Sequence, residues 1–155
     1  MYQKVVVPLD GSELAECVLP HVEAIAKGCN TKNIIFLQIV EPFQPRGGTA
    51  YIFGEGDIKR INAEHKAAAE KYLARMLSQV NYKGVNVESE IISGKPAAEG
   101  IADYVTKNGV DLVIIATHGR SGISRWVLGS VADRILRSSC VPVLMVRAPG
   151  CASGI

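Results

Sequence analysis

The sequence predicts an α/β domain with a five-stranded parallel sheet and four helices, and two observations support this prediction. Short runs rich in Val and Ile alternate along the chain with segments whose apolar residues recur at helical spacing. Most of these runs are apolar throughout, as strands buried on both faces are. Right-handed crossovers between parallel strands then place helices on both faces of the sheet.

Each element has its own local signature. A strand is predicted where a β-branched run is bounded by turn residues, and a helix where apolar residues recur every three or four positions. The third strand alternates polar and apolar residues, which favours a half-exposed position at a sheet edge. The predicted strands are Gln3–Leu9, Asn33–Val40, Val85–Ile92, Asp111–Thr117 and Val141–Arg147, and the predicted helices are Glu13–Lys27, Asp57–Val80, Ala97–Asn108 and Ser130–Ser138.

Two segments interrupt this regular pattern. Pro20 falls inside the first predicted helix and predicts a bend, because an interior proline removes a backbone hydrogen bond. Residues Glu41–Gly56 contain two prolines and four glycines, which predicts a long loop. A loop of this length is typical of a lid or of an irregular edge.

Composition limits the class of protein. The chain has 155 residues, of which 48% are hydrophobic and 21% charged, and this predicts one globular domain over residues 1–147 with a flexible tail at 148–155. The formal net charge of +2 gives little support to nucleic-acid binding. No apolar run reaches the roughly 18 residues of a membrane span, and no signal peptide is recognised. The four cysteines show no metal-ligand spacing. They are expected to be free thiols in a reducing cytoplasm and not disulfides.

The segment Ala116–Asp133 organises the rest of the chain. It leads from a buried strand, through a loop punctuated by Gly119, Gly122 and Gly129, to the start of a helix. Such a loop brings backbone N–H groups and the positive end of a helix dipole towards an anion. Ser130-Val131-Ala132-Asp133 is read as a Ser-x-x-Asp capping signal. From the pattern alone, a phosphate site and a capped turn without any ligand are equally good interpretations.

A crevice is predicted where two strand ends meet. Pattern alone does not fix the strand order, but the doubly wound order 3-2-1-4-5 would place strands one and four side by side at the switch point, where ligands bind. The end of strand one carries Leu9–Ser12, and the end of strand four carries the glycine loop. The two most polar strand ends would then face each other.

These residues resemble the universal stress protein family, and the resemblance covers nearly the whole chain. Nucleotide-binding members of that family carry Gly-x2-Gly-x9-Gly-Ser/Thr after strand four, and this chain has Ala116, Gly119, Gly129 and Ser130 at those positions. Alanine in place of the first glycine narrows the pocket by a methyl group. The opening V-V-V-P-L-D-G-S and the closing V-P-V-L-M-V-R also look like the family's first and last strands.

The resemblance implies a Rossmann-like fold, as in adenine nucleotide alpha hydrolases, and ATP as the ligand. Asp10 would face the adenine and ribose, Ile39 would contact the adenine ring, and the glycine loop would hold the phosphates. Mg²⁺ or Mn²⁺ would accompany the triphosphate through phosphate oxygens and water. The implied nucleotide-binding residues are Pro8, Leu9, Asp10, Ile39, Ala116, Thr117, Gly119, Arg120, Gly129, Ser130 and Val131.

Each of these residues also has a structural interpretation without a ligand. From the pattern alone, Asp10 is more typical of an Asx turn than of a ligand contact, and Ser130 is equally typical of a plain helix N-cap. Arg120 is placed near the phosphates, although loop arginines are usually only solvated. His118 has no serine, cysteine or carboxylate partner in the pattern of a catalytic triad, so no catalytic residue is assigned. At most, slow ATP hydrolysis or autophosphorylation is expected.

The last strand predicts a partner. An apolar strand at a sheet edge favours pairing, and family members look like homodimers that pair this strand across a two-fold axis. The expected function is therefore an ATP-binding, dimeric stress-response regulator. Two alternatives remain: a dimeric interaction protein without nucleotide, and an adenylyl-transfer enzyme, which would need a strand-one phosphate loop that is absent from the sequence. The predicted interface residues are Val141, Val143, Leu144, Met145 and Val146.

Overall fold

A computed structural model describes residues 1–45, 52–117 and 129–147. Strands and helices alternate along these residues, and a 3-10 turn at Ala15–Val18 precedes the first helix. The strands are β1 (Lys4–Pro8), β2 (Asn33–Val40), β3 (Asn86–Ser93), β4 (Leu112–Ala116) and β5 (Val143–Val146), and the helices are α1 (Leu19–Cys29), α2 (Glu55–Gln79), α3 (Ala97–Lys107) and α4 (Ser130–Ser138).

The five strands form one parallel sheet in the order β3-β2-β1-β4-β5, which confirms the predicted fold class. β1 pairs with β2 on one side and with β4 on the other. The chain therefore reverses its direction of winding between β1 and β4, and the crevice of a doubly wound sheet lies beyond the carboxyl ends of these two strands.

The sheet is covered on both faces by apolar packing. On one face Val5, Val7 and Phe36 pack with α1 and α2 residues such as Val22 and Leu73. On the other face, a second cluster unites alternate residues of the same strands with apolar residues of α3 and α4. Because successive strand residues point to opposite faces, a run that is apolar throughout supplies both clusters.

Pro20 does not bend a helix, and this prediction was wrong. The α-helix begins at Leu19, so that Pro20 lies in its first turn, and the preceding residues form the 3-10 turn instead. Backbone N–H groups of a first turn have no intrahelical acceptor, so a proline there removes no hydrogen bond. The sequence pattern did not separate these two segments.

Two predictions about α4 also need correction. The N-cap is Gly129 and not Ser130, and the cap makes no side-chain hydrogen bond. The Asp133 carboxylate pairs with Arg137 one turn later, at 3.0 Å, and does not reach back to complete a capping box. Leu136 is apolar but 48% exposed, because Ile135 and Ala132 fill the contact with the sheet.

The sequence predicts that no segment spans a membrane, and the length and apolarity of the helices bear on this prediction. Within the part of the chain that the structure describes, no helix is both long and apolar enough to cross a membrane. The longest, α2, has a face of Lys, Arg and Glu side chains that are exposed.

Candidate functional site

A cleft of about 410 Å³ opens beyond the carboxyl ends of β1, β2 and β4, between α3 and the start of α4. All predicted nucleotide residues that the structure describes line it. Two others, Gly119 and Arg120, lie outside the described residues, as does His118. The predicted residues in the cleft wall are Pro8, Leu9, Asp10, Ile39, Ala116, Thr117, Gly129, Ser130 and Val131.

Asp10 lies in a tight turn at the end of β1. Its Oδ1 accepts hydrogen bonds from the backbone N–H of Ser12 at 3.0 Å and from the Ser12 hydroxyl at 2.6 Å. The Ser12 hydroxyl oxygen in turn accepts the N–H of Ala15 at 3.3 Å, which starts the 3-10 turn. The Asx-turn interpretation is therefore right, and it is compatible with a ligand role because the same residue lines the cleft.

Backbone hydrogen bonds hold the end of β4 against the start of α4. The N–H of Gly129 donates to the carbonyl of Thr117 at 2.9 Å, and the N–H of Thr117 donates to the carbonyl of Val146 at 2.8 Å. These bonds fix the two residues that flank positions 118–128.

The first turn of α4 faces the cleft through Ser130, Val131 and Ala132. The N–H groups at the start of a helix have no intrahelical acceptor, and here the cap residue is a glycine that offers no side chain. Together with the helix dipole, these N–H groups make this end of the cleft suitable for an anion.

The middle of the cleft is apolar. Ile39 from β2 and Ile101 from α3 face Ala116 from β4 across it, and Leu37 and Ile115 complete the wall. A flat aromatic ring placed here would bury its faces against aliphatic carbon. Sequence reasoning identified Ile39 and Ala116 but missed the other three, because nothing in a strand or helix pattern marks which apolar residue borders a cavity.

Glu41 is a polar cleft residue that sequence reasoning also missed. Its Oε1 accepts the backbone N–H of Ala97, the first residue of α3, at 2.7 Å. Both residues line the cleft. A signal was present, since Glu41 directly follows β2 at the carboxyl edge of the sheet, as Asp10 follows β1. The cleft therefore has carboxylates from two adjacent strand ends.

Behind Asp10, the turn is tied to α2. Arg75 of α2 forms an ion pair with Glu16 at 2.5 Å. The Tyr72 hydroxyl is buried next to this pair, and burial, with the carboxylates of Glu16 and Asp10, raises the pKa of Tyr72 well above its usual range. Tyr72 thus stays protonated, and the ion pair between Glu16 and Arg75 connects the 3-10 turn to α2.

The described side chains bear on whether the chain itself could bind a metal ion. Among residues 1–45, 52–117 and 129–147, no group of three or more His, Cys, Asp or Glu side chains could hold a metal ion. A cation bound in the cleft would need further oxygen ligands from a bound molecule or from water.

The predicted interface residues lie on the outer strand of the sheet. β5 pairs with β4, and β4 is its only neighbour in the described sheet. Val146 is buried, whereas Val143, Leu144 and Met145 are half-buried, as is Val141, which precedes the strand.

Known proteins share this architecture. The universal stress protein MJ0531 of Methanocaldococcus jannaschii is 31% identical over 150 residues, covering 96% of this chain and 84% of that protein. The solved structure of MJ0577 from the same species has a TM-score of 0.80 at 27% identity, covering 95% of this chain and 96% of that one. A family structure from Arabidopsis thaliana with AMP bound has a similar fold, with a TM-score of 0.65 at 17% identity and coverage of 94% and 92%.

The family assignment follows from the extent of these matches. The family model described as the universal stress protein family matches residues 1–147. This range includes all the described strands of the sheet and the described helices that cover it. The sequence resemblance, the strand order and the relatives all agree, and the chain belongs to the universal stress protein family.

Proposed function

We propose that this protein binds ATP in the cleft beyond β1 and β4, and that nucleotide occupancy regulates its choice of protein partners in a stress response. One observation supports this most strongly: a single cleft combines an apolar slot, a carboxylate at Asp10 and a helix start without a side-chain cap. The related structure with AMP bound has the same fold, which is consistent with the proposal.

Different residues of the cleft would suit different parts of a nucleotide. The adenine ring would lie in the apolar slot against Ile39 and Ile101. The ribose hydroxyls are hydrogen-bond donors and would reach the Asp10 carboxylate. The phosphates would lie at Gly129 and Ser130, where the first-turn N–H groups of α4 point outward. In this arrangement the Asp10 carboxylate would face the donor groups of the ribose, and the N–H groups of α4 would face the phosphates.

A divalent cation would arrive with the triphosphate. Mg²⁺ or Mn²⁺ is held in such sites mainly by phosphate oxygens and water, and it neutralises part of the phosphate charge. The contribution of the chain is to position the phosphates at the start of α4. The proposed role is regulatory, with slow ATP hydrolysis or autophosphorylation at most.

The test is to identify and then restore the nucleotide. Denaturing the purified protein should release an adenine nucleotide detectable by chromatography, and the stripped protein should bind Mg-ATP in calorimetry. In Gly129→Asp, a negative charge is placed at the phosphate end, while Asp remains a favoured N-cap residue, so the fold should persist. We expect its ATP dissociation constant to rise about tenfold or more.

Gly129→Asn is the matched control, because it adds a neutral cap of nearly the same size. Its side chain also competes for the first-turn N–H groups of α4 but adds no charge, so its ATP affinity should fall less than that of Gly129→Asp. Absence of both released nucleotide and binding up to millimolar Mg-ATP would contradict the proposal. It would favour the alternative in which Ala116 has closed the site and the protein acts through its surface alone.

We further propose that two copies associate through β5. The carbonyls of Pro142 and Val146 accept hydrogen bonds from β4, so the N–H groups of the alternate residues Val143 and Met145 point away from the sheet. Pairing across a two-fold axis would satisfy this edge. Light scattering at micromolar concentration should give twice the mass of one chain, and Met145→Pro, which removes an outward N–H, should give a monomer with an unchanged circular dichroism spectrum.

A further inference from the structure

The backbone of α3 comes unusually close to the slot at one residue. Gly100 is buried in the first turns of α3 and donates its N–H to the carbonyl of Pro96 at 2.9 Å. A Cβ atom at position 100 would lie 2.9 Å from Cδ1 of Ile39 and 3.3 Å from both Cγ1 and Cγ2 of Ile39. The first distance is shorter than carbon atoms tolerate, so a Cβ at position 100 would displace Cδ1, the flexible end of the Ile39 side chain.

Ile39 is held between two different surroundings. On one side it packs on the cluster formed by β-strand residues, α3 and α4. On the other side its side chain lines the cleft. A close-packed core has no room for a displaced methyl group, whereas the cleft does. A side chain added at Gly100 would therefore push Cδ1 of Ile39 into the slot.

We propose that Gly100 is a specificity-determining residue of the cleft, because it lets Ile39 withdraw far enough for the slot to accept the two-ring base of a purine nucleotide. This inference rests on the proposed nucleotide function. A one-ring pyrimidine base reaches less far along the wall from the ribose position at Asp10, so the position of the Ile39 methyl group matters less for it.

The experiment compares ATP with CTP, both with Mg²⁺, by calorimetry on the wild type and on Gly100→Ala. Because the displaced methyl group would occupy space that the purine needs, we expect ATP binding to weaken about tenfold or more. CTP binding should change by less than about threefold. The melting temperature without ligand should stay within about 4 °C, because the displaced methyl group enters the cleft and not the core.

Two further variants make the test specific. Ile39→Val removes the Cδ1 atom that the new Cβ would meet, so the double variant I39V/G100A should recover ATP affinity to within about threefold of the wild type. Gly28→Ala is the matched control: it is also a glycine in a helix, and a Cβ there meets nothing within 4 Å. It should leave both affinities unchanged.

The possible outcomes separate the two proposals. The role of Gly100 is refuted if the wild type binds ATP and Gly100→Ala binds it equally well. It is also refuted if the substitution lowers the affinities for ATP and CTP by the same factor. In both cases the nucleotide function stands. If the wild type binds neither nucleotide, both fail. If Gly100→Ala does not fold, the double variant carries the test, and it must then bind ATP as the wild type does.

Discussion

The carboxylate of Glu41 and the backbone N–H of Ala97 are joined by a hydrogen bond of 2.7 Å. This bond connects the carboxyl end of β2 to the start of α3, two elements that form one wall of the cleft. No side chain of α3 itself provides an N-terminal cap, since Pro96 holds that position. Glu41 thus replaces a local cap by a tertiary one.

Glu41→Ala should lower the free energy of unfolding by about 1 kcal/mol, the usual value for an N-terminal cap and its interaction with the helix dipole. Urea denaturation measures the difference. Glu70→Ala in α2 is the control, because Glu70 is exposed and makes no ion pair or hydrogen bond with any described residue. Equal stability of the two variants would show that the Glu41 bond contributes nothing.

Ile135 and Leu136 are neighbours in α4 with opposite surroundings. Ile135 is 1% exposed, and Leu136 is 48% exposed. Ile135→Ala should therefore lower the free energy of unfolding by about 3 kcal/mol, because it removes buried carbon and leaves a cavity. Leu136→Ala should cost less than about 1 kcal/mol. Thermal and urea unfolding of both variants give the comparison, and a larger loss for Leu136→Ala would contradict the assigned orientation of α4.

Pro20 lies in the first turn of α1, and this position predicts a small effect of replacing it. A proline in a helix interior destabilises by roughly 3 kcal/mol, so its removal would stabilise the protein by a similar amount. In the first turn we expect Pro20→Ala to change stability by less than about 1 kcal/mol. A stabilisation near the larger value would indicate that the helix starts earlier in solution.

Tyr82 links stability to alkaline pH. Burial, with a smaller contribution from Glu23, raises the pKa of Tyr82 to about 12. The unfolded value is about 10, so the folded state favours the neutral phenol. The stability contributed by Tyr82 is complete below pH 10 and is lost as the pH rises towards 12.

Tyr82→Phe should remove this dependence. Between pH 9 and pH 11 the free energy of unfolding of the wild type should fall by about 1 kcal/mol more than that of the variant. The pKa values of Tyr72 and Tyr104 are also raised by burial. Both residues are present in each protein, so their contributions to the pH dependence of stability cancel in the difference. Urea unfolding at the two pH values measures it. Parallel losses in both proteins would mean that the pKa of Tyr82 is the same in the folded and unfolded states.

The sequence by itself determined the features that depend on local patterns. The β-branched runs predicted β2 and the other strands, and the glycine-rich loop with the following amphipathic segment predicted the start of α4 at Ser130. The strand ends that carry Asp10 and Ala116 were also predicted to meet, because the carboxyl ends of parallel strands share one edge of a sheet. These are consequences of residue spacing, which a single sequence contains.

Only the tertiary structure decided the features that depend on distance between elements. Glu41 became a cap because α3 begins beside the end of β2, and Gly100 matters because α3 lies against Ile39. Leu136 is apolar but faces outward, since the angle at which α4 packs selects which apolar positions are covered. Residue types set what each element can bury, whereas close packing between elements sets which atoms meet.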